Sequence, residues 1–251
     1  MTVLILGGTA EGRALASALV GVGTPIVTSV AGRTRDPALP PGPVRSGGFG
    51  GAAGLTSWLR DHAVTAVIDA THPFAATMTA HAAEACTAAG VPLLRLERPS
   101  WRAHPDAPSW TWVADHEAAA ATASELGDRI WLTVGRQSLA GYARLARWPV
   151  LARVAEAPAS AVPPAWTLLV DRGPFELLTE RALMDRHGVR VLVTKDAGGV
   201  HTAAKLDAAR EAGVAVVVVA RPALPPGLNT GDAAPAAVAW VRGLSTRSTP
   251  V

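Results

Sequence analysis

The feature that most constrains this 251-residue chain is its alternation of short aliphatic runs with helical stretches. Strands are expected over residues 3–6, 25–30, 66–69, 91–96, 110–113, 130–134, 150–153, 167–170, 189–193 and 214–220. Helices are expected over 11–20, 52–62, 74–89, 138–145, 175–187, 201–212 and 233–241. Aliphatic runs of four to seven residues suit strands buried on both faces, and strands separated by helices make parallel sheets. The pattern restarts after a Trp- and Pro-rich stretch at 98–108. The fold class is therefore α/β, with two Rossmann-like, doubly wound parallel-sheet domains joined around residues 115–130. The working boundaries are 1–125 and 126–251.

Composition narrows the function. The chain is 49% apolar but has only 12 aromatic residues, so alanine and valine fill much of a core that a disordered chain would lack. A pI near 9.7 comes from arginines with no dense basic run, which gives no footing for nucleic acid. Cys86 is the single cysteine and lies in an Ala-rich helical pattern, which excludes a disulfide framework and reads as a small buried residue. The longest aliphatic run, 214–220, is far short of the roughly 20 residues of a membrane span. The N-terminus lacks the basic region of a secretion signal. A cytoplasmic protein is expected.

In open α/β sheets ligands bind beyond the carboxyl ends of the strands. The first strand runs into Gly7-Gly8-Thr9-Ala10-Glu11-Gly12-Arg13. The dinucleotide fingerprint would place glycine at 7, 9 and 12, so Thr9 is a departure. Gly7 and Gly8 still allow a tight turn beneath a helix N-terminus that faces phosphate, and Thr9 is expected to donate a hydroxyl to it. The second strand ends in Ser29-Val30-Ala31-Gly32-Arg33-Thr34-Arg35, with no acid before Asp36. An acid there would hold a ribose 2′-hydroxyl, whereas Arg33 suits a 2′-phosphate and hence NADPH. Gly47-Gly48-Phe49-Gly50-Gly51 reads as a mobile loop over a ligand. Asp69-Ala70-Thr71-His72-Pro73-Phe74 opens a helix; capping explains Thr71 and Pro73 but leaves Asp69 and His72 for function. No metal-binding pattern and no GxSxG elbow is present.

The chain has 21 arginines and only two lysines, Lys195 and Lys205. Both lie around Thr194-Lys195-Asp196-Ala197-Gly198-Gly199-Val200-His201, after a strand and before a helix. Arg136 and Arg221 hold equivalent places after neighbouring strands. Together these cations describe a pocket for a substrate with several carboxylates or phosphates.

With Gly135-Arg136 and Ala220-Arg221-Pro222 added, these motifs resemble the precorrin-6A reductase family of cobalamin biosynthesis over nearly the whole chain. The resemblance implies strands exchanged between the two sheets, one domain for coenzyme and one for the tetrapyrrole. It implies an NADPH-dependent oxidoreductase that adds hydride to one carbon of the precorrin-6A macrocycle and a proton beside it, giving precorrin-6B. No metal or flavin is required, and the product passes to the following enzyme of the pathway. Carried onto this sequence, Gly7, Gly8, Thr9 and Glu11 position the coenzyme and Arg33 reads its 2′-phosphate. Thr71, His72 and Phe74 lie near the nicotinamide. Arg13, Arg136, Lys195, Lys205 and Arg221 hold substrate carboxylates, with Gly198 and Gly199 opening the backbone to the ring. Asp69, His72, Asp196, His201 and bound water are candidate proton donors, with His72 and Asp196 taken as catalytic. Two alternatives stay open: the cobalt-containing macrocycle as substrate, and a nucleotide sensor without turnover.

Overall fold

The computed structural model describes residues 1–32, 38–199 and 202–247. In chain order the elements begin β1 (Thr2–Leu6), α1 (Ala10–Gly21), β2 (Ile26–Val30), β3 (Val44–Ser46), α2 (Gly51–Asp61), β4 (Val64–Asp69), α3 (Ala76–Ala89) and β5 (Leu93–Leu96). They continue with β6 (Thr111–Val113), α4 (His116–Leu126), β7 (Ile130–Leu132), β8 (Val150–Val154), β9 (Trp166–Val170), α5 (Leu177–His187) and β10 (Val191–Lys195). The last are α6 (Ala204–Glu211), β11 (Ala215–Val219), β12 (Asn229–Gly231) and α7 (Ala234–Arg247).

Two six-stranded sheets result, ordered β12-β5-β4-β1-β2-β3 and β6-β11-β10-β7-β8-β9, with every pair parallel. Each has the doubly wound order, in which the chain winds out both ways from central strands, leaving a switch point between β1 and β4 or between β7 and β10. In the first sheet the pleat sends Val3 and Ile5 towards Leu15, Leu19, Ala237 and Val241 on α1 and α7. Leu4 and Leu6 face Leu55 and Leu59 of α2 and Ala82 and Cys86 of α3. Cys86 is core, as its sequence surroundings suggest, and burial pushes its thiol up to about 12. In the second sheet Trp131, Leu151, Leu192 and Val218 pack with Met184 of α5 and Leu206 of α6.

The two units are Met1–Arg98 together with the chain from Pro222 onward, and Pro99–Arg221. The boundary expected near 125 is therefore corrected. The chain changes unit at 98/99 and returns at 221/222. Strand β12, on the returning chain, pairs with β5 and completes the first sheet. Strand β6, the first after the change of unit, pairs with β11 and edges the second. The joint expected at 115–130 contains α4, capped by Asp115, whose carboxylate accepts from the Ala118 N–H at 2.8 Å. The helix expected over 138–145 is instead a ten-residue 3₁₀ run, Arg136–Leu145. Among the described residues no helix is long and apolar enough to cross a membrane.

Candidate functional site

The first switch point is built on glycine. Gly7 extends the ladder by donating to Ser29 O at 2.8 Å, and a Cβ there would lie 2.9 Å from Thr28 Cγ2. Gly8 has φ +108°, and a Cβ on it would meet no protein atom within 4 Å. Gly12 sits 3.5 Å, by the same measure, from Ala70 Cβ, so α1 lies close on the sheet. This is the arrangement a pyrophosphate needs: open backbone, then a helix N-terminus. Thr9 departs from its expected role. Its hydroxyl accepts from Gly12 N–H at 3.0 Å and donates its only proton to Ala70 O at 2.8 Å. It is the N-cap of α1 and ties β1 to the end of β4, rather than donating to phosphate. Glu11, in the first turn, pairs with Arg98 at 3.2 Å.

The β4 end is an ionic network. Asp69 is fully buried and accepts from Thr71 N–H (3.0 Å), Thr71 Oγ1 (2.7 Å) and Thr79 Oγ1 (2.6 Å), beside the Arg95 guanidinium at 2.9 Å. Arg95, 1% exposed on β5, also donates to Thr71 Oγ1 and Glu97, each at 2.9 Å. Asp69 is thus a saturated anchor, not an acid open to substrate. His72 Nδ1 accepts from the Phe74 N–H at 3.2 Å, which puts the neutral ring's proton on Nε2, and the two rings lie 5.8 Å apart.

The Gly47–Gly51 segment is pinned where a mobile loop was expected. Arg45 donates to Ser29 Oγ (2.8 Å), Gly47 O (3.0 Å) and Gly48 O (3.0 Å), and its guanidinium lies 3.8 Å over the Phe49 ring. Phe49 packs against the core and edge-on to Trp58. Arg33 and His201 lie outside the described residues.

At the second switch point Gly135 has φ +80°, and a Cβ on it would come within 3.8 Å of Nζ of Lys195, the last residue of β10. Burial pushes the Lys195 ammonium down to about 8. Beside it, His116 Nδ1 lies 2.8 Å from the Tyr142 hydroxyl, and burial followed by Lys195 lowers the His116 imidazole. Arg136 pairs with Glu156 at 3.0 Å. Asp196, 2% exposed, accepts from Ser100 Oγ (2.6 Å) and Trp101 N–H (2.9 Å) and lies 3.3 Å from Arg221 Nε. Arg221 donates as well to Asp196 O at 3.0 Å. The carboxylate of Asp196, expected to be catalytic, anchors the segment that enters this unit.

Lys205, expected to hold a substrate carboxylate, is buried as well. It is 4% exposed, donates to Thr202 O, and lies 4.7 Å from the Trp101 ring centre. Burial, then Arg153, push its ammonium down to about 7, against the pull of Glu180. Trp101 Nε1 donates to Gly199 O at 3.1 Å, so Trp101 and Lys205 grip the chain on either side of residues 200–201. Gly198 and Gly199 have φ +66° and +70°, conformations that favour glycine. Arg136, Lys195, Lys205 and Arg221 share this unit, whereas Arg13 lies on α1 of the other.

Sequence reasoning missed Arg95, Arg98, Arg45 and Trp101. It also missed Arg153, whose guanidinium forks onto buried Glu180, at 2.8 Å on one side. Arg95 and Arg153 carried a signal: a lone cation inside an aliphatic strand must have a buried acid. Among the described residues no group of three or more His, Cys, Asp or Glu side chains could hold a metal.

Comparison with known proteins is consistent along the whole chain. Residues 2–242 match the family described as precorrin-6x reductase CbiJ/CobK. The precorrin-6A reductase of Rhodococcus erythropolis is 50% identical over 246 residues, covering 98% of this chain and 99% of the relative. A cobalt-precorrin-6A reductase of Priestia megaterium is 30% identical, covering 88% of this chain and 90% of the relative. A solved structure named CobK precorrin-6A reductase superposes with a TM-score of 0.89 at 37% identity, covering 97% of each chain.

Proposed function

The chain belongs to the precorrin-6x reductase family, and on that premise we propose that it reduces one double bond of precorrin-6A to precorrin-6B with NADPH. The family makes it an oxidoreductase and implies a reduced nicotinamide. The observation that carries the finer reading is the contrast between its switch points: open glycine under a helix N-terminus in one unit, cations in the other. The first suits a dinucleotide and the second a ring bearing many carboxylates. The 2′-phosphorylated coenzyme is favoured because the end of β2 and the two residues after it, Ser29-Val30-Ala31-Gly32, carry no acid, and Arg45 bonds Ser29. The metal-free substrate is favoured by the greater identity to the relative named for it.

When bound, the nicotinamide supplies a hydride to one carbon of the conjugated ring, and a proton completes the two-electron reduction at the neighbouring atom. The protein positions. Gly7, Gly8 and the first turn of α1 receive the pyrophosphate, and the Asp69–Arg95–Thr71 network fixes the loop that carries His72 and Phe74. Arg136 and Lys195 hold carboxylates of the macrocycle. With Asp69 and Asp196 engaged by donors, the proton comes from His72 Nε2–H, from His201 or from water. The reduced ring then passes to the next enzyme of the pathway.

The test is anaerobic NADPH oxidation with metal-free precorrin-6A, repeated with NADH and with the cobalt-bearing macrocycle. Turnover with NADPH and precorrin-6A, and little with NADH, is expected. Turnover of the cobalt form alone overturns the substrate, and equal rates with NADH overturn the coenzyme.

A further inference from the structure

The carboxyl edge of the second sheet carries a charged side chain at or just after the end of each of five neighbouring strands. In sheet order these are Arg172 beyond β9, Glu156 beyond β8, Arg136 beyond β7, Lys195 at the end of β10 and Arg221 beyond β11. Neighbouring strands lie about 4.8 Å apart, so the row runs across roughly 19 Å. A small acid needs one or two such cations; a rigid ring with acids around its rim needs them spread along a line. Along this edge the four cations face two carboxylates, Glu156 and Asp196.

The two acids sit differently. Asp196 is buried and ties Arg221 into the unit, leaving Arg221 14% exposed. Glu156 lies between two far more exposed guanidiniums. Its Oε2 accepts from Arg136 Nη1 at 3.0 Å and its Oε1 from Arg172 Nη2 at 2.7 Å, while Arg172 Nε donates to Ala155 O at 3.2 Å. Arg136 is 34% and Arg172 43% exposed, and Glu156 is 17%. Ion pairs this exposed add little to stability. Their effect is to hold two forked donors at a fixed spacing on the ligand-binding edge, so that less side-chain freedom is lost when an anion docks.

We propose that Arg172, with Arg136 and the Glu156 that spaces them, forms a carboxylate subsite at the β8–β9 end of the row, taking an acetate or propionate arm of the macrocycle. This rests on the tetrapyrrole reading above and extends it to a residue outside the motifs that mark the family. The subsite binds an arm remote from the reacting carbon, so it adds to binding of ground state and transition state alike.

The test is steady-state kinetics of the full-length Arg172→Met and Arg172→Lys variants with precorrin-6A and NADPH. Arg172→Met is expected to raise KM for precorrin-6A about tenfold, the loss of one charge-assisted contact, with kcat and KM for NADPH unchanged. Arg172→Lys, which keeps the charge but not the fork, is expected to fall between. Unchanged KM for precorrin-6A in an Arg172→Met enzyme of normal kcat overturns the subsite. If the wild type does not turn over precorrin-6A, the functional reading fails separately. Fluorescence titration with uroporphyrin, an octacarboxylate tetrapyrrole, then decides the subsite: weaker binding by Arg172→Met supports it, and equal binding overturns it.

Discussion

The two sheets share the order of five strands, with an edge strand that enters last in the first sheet (β12) and first in the second (β6), and they differ in the segments that leave the two strands flanking each switch point. After β1 comes an α-helix capped by Thr9; after β7 comes a 3₁₀ run entered through Gly135. The end of β4 carries Asp69, answered by Arg95; the end of β10 carries Lys195. A 3₁₀ run has tighter turns and poorer hydrogen-bond geometry, so it presents no helix N-terminus like that of α1. The same frame thus presents backbone dipoles at one switch point and side-chain charge at the other. Backbone donors suit a pyrophosphate that approaches closely, and long cationic side chains suit carboxylates on flexible arms.

The comparison breaks most severely at the buried arginines. Arg95→Met leaves Asp69 charged and buried, and Arg153→Met does the same to Glu180, each at about 3–5 kcal/mol by thermal or urea unfolding. The two differ in function. Arg95 bonds the Thr71 hydroxyl, so Arg95→Met also weakens NADPH binding in the protein that stays folded. Arg153 joins β8 to α5, and its loss leaves NADPH affinity unchanged. Asp69→Asn combined with Arg95→Met is expected to recover part of the stability, because the orphaned charge is gone. Equal loss of NADPH affinity in both single variants would mean that the Asp69 network does not position the coenzyme loop.

Next in size is Gly8→Val. At φ +108° an L side chain is strained by about 1–3 kcal/mol, and its carbons would project into the open side of the turn. The dissociation constant for NADPH, measured by fluorescence, should rise more than tenfold, with binding of a tetrapyrrole polyacid unchanged. Parallel loss of both ligands would erase the division of labour between the units.

How much of this is legible in the sequence depends on how local each cause is. Aliphatic runs such as residues 3–6 and 214–220 state their strands outright, because burial on both faces demands them. Strand β12 is Asn-Thr-Gly, and only pairing with Leu94 and Arg95 of β5 makes it a strand, so no local pattern could reveal it. Helix α4 is hidden because its Ala-rich stretch reads as a joint between domains, although Asp115 is a good cap. The glycine turn and the cations at strand ends can be read because position after a strand predicts the ligand edge. The partner of each cation cannot. Lys195 and Lys205 look alike in sequence, yet one lies at the switch point and the other is sealed under Trp101. Asp196 and Asp69 look reactive because they are polar in apolar runs, and the donors that saturate them come from up to 96 residues away.

Lys195 offers a finer test of the second switch point. Its ammonium, pushed down to about 8, loses its proton as pH rises through that value, and a neutral amine no longer pairs with carboxylate. KM for precorrin-6A should therefore climb above about pH 8 in the wild type, while KM for NADPH stays level. A bound carboxylate favours the charged form, so the break in kcat should lie at higher pH than the break in kcat/KM. Lys195→Met should begin with a KM about tenfold higher and show no break there. A persistent break in that variant would assign the titration to another group, since His116, lowered from its ordinary value, loses its proton well below this range.

The smallest effect sharpens the role of Thr9. If its hydroxyl bonded phosphate, Thr9→Val would chiefly weaken the coenzyme. In the structure the hydroxyl faces inward, capping α1 through Gly12 and crossing to Ala70 O, so its loss should act on the fold. Thr9→Val is expected to cost about 1 kcal/mol of stability, the usual loss of an N-cap, and to shift NADPH affinity less than threefold. Thr9→Ser should restore most of the stability, since it returns the oxygen that both bonds use. The reverse pattern, full stability with much weaker NADPH binding, would place the hydroxyl on the ligand. The glycine turn would then hold phosphate through a side chain, as we propose the second unit holds carboxylates, and the contrast between backbone and side-chain anion sites would lose its sharpest point.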